Sequence, residues 1–171
     1  DGDAILRDPV PDGTAALDPL DVSWRLAAAS SLTGSQLDAA VLEVIRLHER
    51  RHLVDSFHYL PFEANVWRGL GLLLSFGLSP SAIEAEMERR AELAALALCS
   101  EPRIALAHIA EFVGEDDASP HVRGFSRLAG EVVDALIALG VPPASAAISR
   151  WDRLDPAVVR AAGVKLLAQL P

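Results

Sequence analysis

SQLDAAVLEVIRLHERRHLVDSFHY, residues 35–59, decides how this chain folds. Leu37, Val41, Val44, Ile45, His48, His52 and Asp55 recur at three- and four-residue spacing. That spacing draws one continuous stripe down a helix. Thr33-Gly34-Ser35-Gln36 ahead of it fits a T-x-x-Q capping box, and Pro61 closes it. The stretch predicts a helix from about 35 to 59 with two histidines on the inward face. His48-Glu49-Arg50-Arg51-His52 is also an H-E-x-x-H sequence. Two imidazoles four residues apart can each offer a nitrogen to one metal ion. The glutamate beside the first can reach a water on that ion as general base.

The same grammar continues on both sides. Asp18-Pro19, Ser79-Pro80, Ser119-Pro120 and Asp155-Pro156 are cap-plus-proline starts, and Ser81-x-x-Glu84 fits a further capping box. Helices are predicted at about 19–31, 62–76, 79–99, 102–113, 119–140, 143–150 and 156–169. Residues 1–18, rich in Asp, Pro and Gly, read as an extended arm or linker in which Ala4-Ile5-Leu6 makes at most a brief strand. Residues 19–171 read as a single domain. The expected fold is all-α: a compact multi-helix domain with the H-E-x-x-H motif on a central long helix and little or no β-sheet. Half of the 171 residues are apolar, mostly Ala and Leu, and aromatics are few.

The formal net charge of -9, with no dense Lys/Arg cluster, argues against nucleic acid and anionic membranes as partners. The longest lipid-like stretch, Gly69 to Leu78, is too short to span a bilayer, so no transmembrane segment is expected. One cysteine, Cys99, excludes an internal disulfide and reads as buried and inert; a cytoplasmic location is the default expectation. A start at Asp rather than Met fits a trimmed chain or part of a longer polypeptide. No Ser/His/Asp array, Gly-rich phosphate loop or CxxC pair is present. Trp24, Trp67 and Trp151 read as packing residues. His108 reads as a core or boundary histidine and His121 as exposed. Either of them, or Tyr59, is a candidate to stabilise an oxyanion.

Two histidines need a third protein ligand. Glu88 is the first candidate, with Glu92 one turn on to accept the spare ring N–H of His48 or His52. Glu84 is a ligand one turn earlier, and Glu92 itself a further choice. His58 completes the spacing H-E-x-x-H-x-x-D-x-x-H, in which Asp55 stands where a turn would need glycine. Asp55, three residues past His52, is the last. Without a metal the acids of 84–92 would be a solvated helix face with partners such as Glu86–Arg90.

Taken together, His48-Glu49-x-x-His52 and Glu88-Arg89-Arg90-Ala91-Glu92 resemble the gluzincin class of zinc metallopeptidases. Its pattern is H-E-x-x-H on one helix and E-x-x-A-[DE] on a later one. The resemblance covers about residues 37–99. It implies Zn2+ held by His48, His52 and Glu88, Glu92 behind them, Glu49 as base, and a peptide or protein substrate. It also implies a β-sheet beside the zinc helix, for which the sequence has almost no signal. The spacing through His58 is a weaker resemblance to the metzincin signature. Two other classes remain open. One is a helical protein-interaction or regulatory domain with a structural or vestigial metal site. The other is a ferritin-like di-metal bundle using Glu49-x-x-His52, which needs a second E-x-x-H that the chain lacks.

Overall fold

A computed structural model describes residues 18–59, 64–115 and 119–170 of the protein. Its elements are α1 (Pro19–Ala29), α2 (Ser35–Tyr59), α3 (Val66–Ser75), α4 (Pro80–Leu98), α5 (Pro102–Glu111), α6 (Pro120–Ala138), α7 (Pro143–Ala146), a 3-10 helix (Ile148–Arg153) and α8 (Pro156–Leu167). The described residues contain no strand, and no single helix among them is long and apolar enough to cross a membrane. The possible strand at Ala4–Leu6 and the stop at Pro61 lie outside the described residues.

Five helices open the same way. Asp18, Ser79, Glu101, Ser119 and Asp155 each accept a backbone N–H from the first turn, and each is followed by proline at the first helical position. Proline gives up an N–H that would be unpaired there, and each side-chain cap is worth about 1 kcal/mol. The cap of α4 is therefore Ser79 and not Ser81. The box at Thr33 also does not form. Gly34 takes φ 52° between Thr33 and the helix, and the Gln36 N–H donates to the Thr33 carbonyl.

α4 is the enclosed element, packed by α2, α5, α6 and α8. Every residue from 89 to 97 is buried. Alanines 91, 94, 95 and 97 keep the neighbours close, while Leu93 and Leu96 carry the apolar volume. Gly124 fixes the α4–α6 approach: a Cβ there would stand 2.5 Å from the Ala85 carbonyl oxygen and 3.1 Å from Glu88 Cβ. Trp151 is fully buried and donates its indole N–H to the Ala146 carbonyl at 3.0 Å. The other two tryptophans correct the reading from sequence. Trp24 is 75% and Trp67 83% exposed, because α1 and α3 turn these positions away from their neighbours.

Candidate metal centre

The charges of α4 are not a solvated face. Glu86, Arg89, Arg90 and Glu92 are all buried. Their partners divide the helix into two sides. On one, the Glu86 carboxylate accepts from Arg89 Nε and Nη2 at 2.8 and 2.6 Å, Arg90 Nε at 2.7 Å and Arg127 Nη1 at 3.2 Å. Arg89 also donates to Glu131 at 2.8 Å, and Arg90 to the Tyr59 hydroxyl at 2.9 Å. Burial works against the Glu86 charge, yet these arginines hold its carboxyl below the usual carboxylate range. The network ties α4 to α2 and α6 and fixes the rotation of α4 about its axis.

That rotation turns Glu88 and Glu92 to the histidines. His48 Nε2 lies 3.0 Å from His52 Nε2 and 3.3 Å from Glu88 Oε2, and His52 Nε2 lies 3.6 Å from the same oxygen. These are the one group among the described residues whose ligand atoms converge as a metal ion requires. Bonds of about 2.0–2.1 Å at tetrahedral angles put ligand atoms about 3.3 Å apart, so the three observed separations fit one ion of that kind. Glu92 is 0% exposed and its Oε2 accepts from His48 Nδ1 at 3.0 Å. With Nδ1 donating, the lone pair of a neutral His48 ring sits on Nε2, facing His52 and Glu88. Glu88 Oε2 is sealed from solvent and faced only by the imidazole nitrogens of His48, His52 and His121. A buried anionic oxygen with no permanent positive charge beside it is what a cation would satisfy.

Two further histidines join this cluster that the sequence reading left outside it. His108 Nδ1 on α5 comes within 3.2 Å of the same Glu92 oxygen. His121, at the start of α6, places Nε2 3.1 Å from Glu88 Oε2 and is 53% exposed. It stands outside the converging group of three. The buried ring of Phe125 lies under them, with centroids 6.2, 5.1 and 5.9 Å from His48, His108 and His121. Burial opposes charge on His48, but its hydrogen bonds to Glu88 and Glu92 outweigh it and push its pKa up to about 9. Burial likewise opposes charge on His108, and Glu92 raises it. Glu88 and Glu92 are both lowered in spite of burial, Glu88 through its bond to His48 and Glu92 through its bonds to His108 and His48.

The remaining candidates fall elsewhere. Asp55 is buried, but its carboxylate receives the Arg51 guanidinium at 2.8 and 3.1 Å and is no ligand. α2 stays helical through Tyr59, so no turn brings His58 back to His48 and His52. Its ring packs edge-on to Tyr59, beside a separate cavity that Arg68 and Arg90 also line. Tyr59 is thus committed to Arg90, away from the metal group. Glu84 is exposed, one turn before Glu88 and outside the group. Glu49 is exposed next to His48 and has no hydrogen bond or ion pair with any described residue. Cys99 is buried, and burial pushes its thiol up to about 12, so it is unreactive. No protein-family model, curated protein or solved structure matches the chain.

Proposed function

We propose that the protein is a zinc-dependent metallopeptidase of gluzincin type, with His48, His52 and Glu88 as ligands. The observation that carries this reading is the convergence of those three ligand atoms at tetrahedral spacing, with Glu92 fixing the His48 ring from behind. Zinc in that place would supply a Lewis acid and bring the pKa of a coordinated water toward about 7. Glu49, exposed beside His48 and without a hydrogen bond or ion pair among the described residues, takes the proton of the attacking water and returns it to the leaving amine. Glu92 holds the His48 ring in its orientation, His108 approaches the same Glu92 oxygen, and the Phe125 ring packs beneath the histidines. The test is metal analysis of the purified chain together with Glu49→Gln. Zinc retained at one per chain, with peptide hydrolysis lowered at least 100-fold, supports the enzyme. Unchanged hydrolysis by Glu49→Gln sinks it.

A second reading has its own support. The described residues hold no strand on which a substrate backbone could pair, while Phe57 and Trp67 are more than four-fifths exposed. Both features suit a protein-interaction domain whose metal is structural. That reading predicts zinc-dependent stability and no Glu49-dependent hydrolysis.

A further inference from the structure

The end of α2, the inner side of α3 and the middle of α4 meet around a cavity of about 360 Å³. It is separate from the metal group: neither the converging ligands nor Glu92 line it. Its polar walls are donors. Arg90 is 4% exposed and gives Nε to Glu86 and Nη1 to the Tyr59 hydroxyl, which leaves Nη2 without a partner among the described residues. The Tyr59 hydroxyl accepts that bond, and no described residue accepts its own proton. Arg68 is exposed, with one hydrogen bond at 3.5 Å to the neutral Asn65 side chain and no ion pair among the described residues. No aspartate or glutamate is among the described residues that line the cavity. The charge balance points the same way. Arg89, Arg90 and Arg127 share the carboxylates of Glu86 and Glu131, so one positive charge is left over, and Arg68 adds another.

We propose that this cavity binds a phosphate monoester, with its dianion on Arg68, Arg90 and Tyr59 and its organic group against Leu72 and Phe76. A phosphate monoester carries close to two negative charges at neutral pH and three strong acceptor oxygens, which match two guanidinium groups and a hydroxyl. A carboxylate offers one charge and two oxygens. A cleft of this size suits a small molecule or a lipid headgroup. The ester comes from a soluble compound or from a phospholipid whose chains meet the exposed Trp67 and Leu74 of α3. The site does not depend on the peptidase reading.

The test uses the full chain and calorimetric titration with phenyl phosphate, inorganic phosphate and benzoate. Phenyl phosphate should bind about tenfold tighter than inorganic phosphate, through the apolar wall, and about tenfold tighter than benzoate, through the added charge. Arg68→Ala should weaken phenyl phosphate about tenfold, and Tyr59→Phe about fivefold. Gly71 lines the cavity, and a Cβ there meets nothing within 4 Å. Gly71→Asp therefore keeps every donor and adds a repelling carboxylate; it should abolish binding, whereas Gly71→Ala should not. Co-sedimentation with phosphatidylcholine vesicles, with and without phosphatidic acid, separates the sources. Capture by phosphatidic acid that Gly71→Asp abolishes supports a headgroup, and phenyl phosphate binding without capture supports a soluble ester. No binding of either probe overturns the proposal. Binding seen only after Glu63→Gln overturns it in favour of a carboxylate of the chain itself. Phenyl phosphate binding that a chelator removes and Gly71→Asp leaves unchanged overturns it by placing the ester on the metal.

Discussion

Without metal, the chain should be more stable at pH 6 than at pH 9.5, and saturating zinc should cancel most of that difference. The reason lies in one buried ring. Desolvation disfavours His48 as a cation, but hydrogen bonds to Glu88 and Glu92 overcome it and raise its pKa from 6.5 to about 9. The folded chain therefore holds the His48 proton more tightly than the unfolded chain. The stabilisation is complete below about pH 6.5, declines through the interval, and is gone above about pH 9. At 1.36 kcal/mol per tenfold change in proton affinity, that interval is worth about 3 kcal/mol. His108, also raised, contributes with the same sign. Zinc must displace the His48 proton, so its apparent affinity should fall about tenfold for each pH unit below about 9. The stabilisation conferred by saturating zinc should shrink by about 1.4 kcal/mol per unit in step. Urea denaturation followed by circular dichroism between pH 6 and 9.5, with chelator and with zinc, reads both slopes. His48→Ala should remove most of each. Apo stability that is flat or rising over this range, or a zinc effect that ignores pH, would refute the coupling between His48, its carboxylates and the metal.

Two substitutions probe the frame behind the ligands. Glu92→Gln keeps the shape of a residue that is fully buried and holds both His48 and His108, but removes its charge. Zinc affinity, measured by competition with a chelator, should drop about 10- to 100-fold while the stoichiometry at saturation stays the same. Gly124→Ala puts a methyl group 2.5 Å from a backbone oxygen of α4, so the helices must separate. It should cost about 1–3 kcal/mol in chemical denaturation and weaken zinc binding, because Glu88 lies at that contact.

Much of the fold could be read from punctuation. A capping side chain followed by proline marks a helix start through local chemistry alone, and Asp18, Ser79, Ser119 and Asp155 all behave that way. Which face of a helix finds a neighbour is a different matter. Trp24 and Trp67 are as apolar as Trp151, yet only Trp151 meets a partner surface. The run Glu84–Glu92 looks like a solvated face because six of its nine residues are charged. Its burial depends on Arg127 and Glu131, about 40 residues later in α6, which no local pattern connects to it. The site divides along the same line. His48 with His52, and Glu88 with Glu92, are visible as pairs one turn apart. Asp55 shares their stripe and is buried as the stripe implies, but Arg51, four residues back on the same helix, takes up its carboxylate. His108 and His121 sit on two further helices. They reach Glu92 and Glu88 because α5 and α6 both pack on α4, and Gly124 is the only local hint of how close α6 comes.

The division of charge on α4 bears on whether the metal is incidental. Glu86 is neutralised by arginines, whose charge is permanent at any physiological pH. Glu88 and Glu92 have no arginine or lysine in ion-pair contact among the described residues, only imidazoles. A fully buried carboxylate, Glu92, beside a half-buried one, Glu88, is costly unless both are paired. Imidazolium pairs them only while it keeps its proton, which is the state that competes with metal. One divalent cation would balance both charges, take the lone pairs of His48 and His52, and leave Glu92 free to keep holding the His48 ring. An arginine on this side would neutralise the acids more simply and would fill the space with a charge that can never leave. Its confinement to the Glu86 side, on the same two turns of helix, is the arrangement expected of a pocket kept open for a cation.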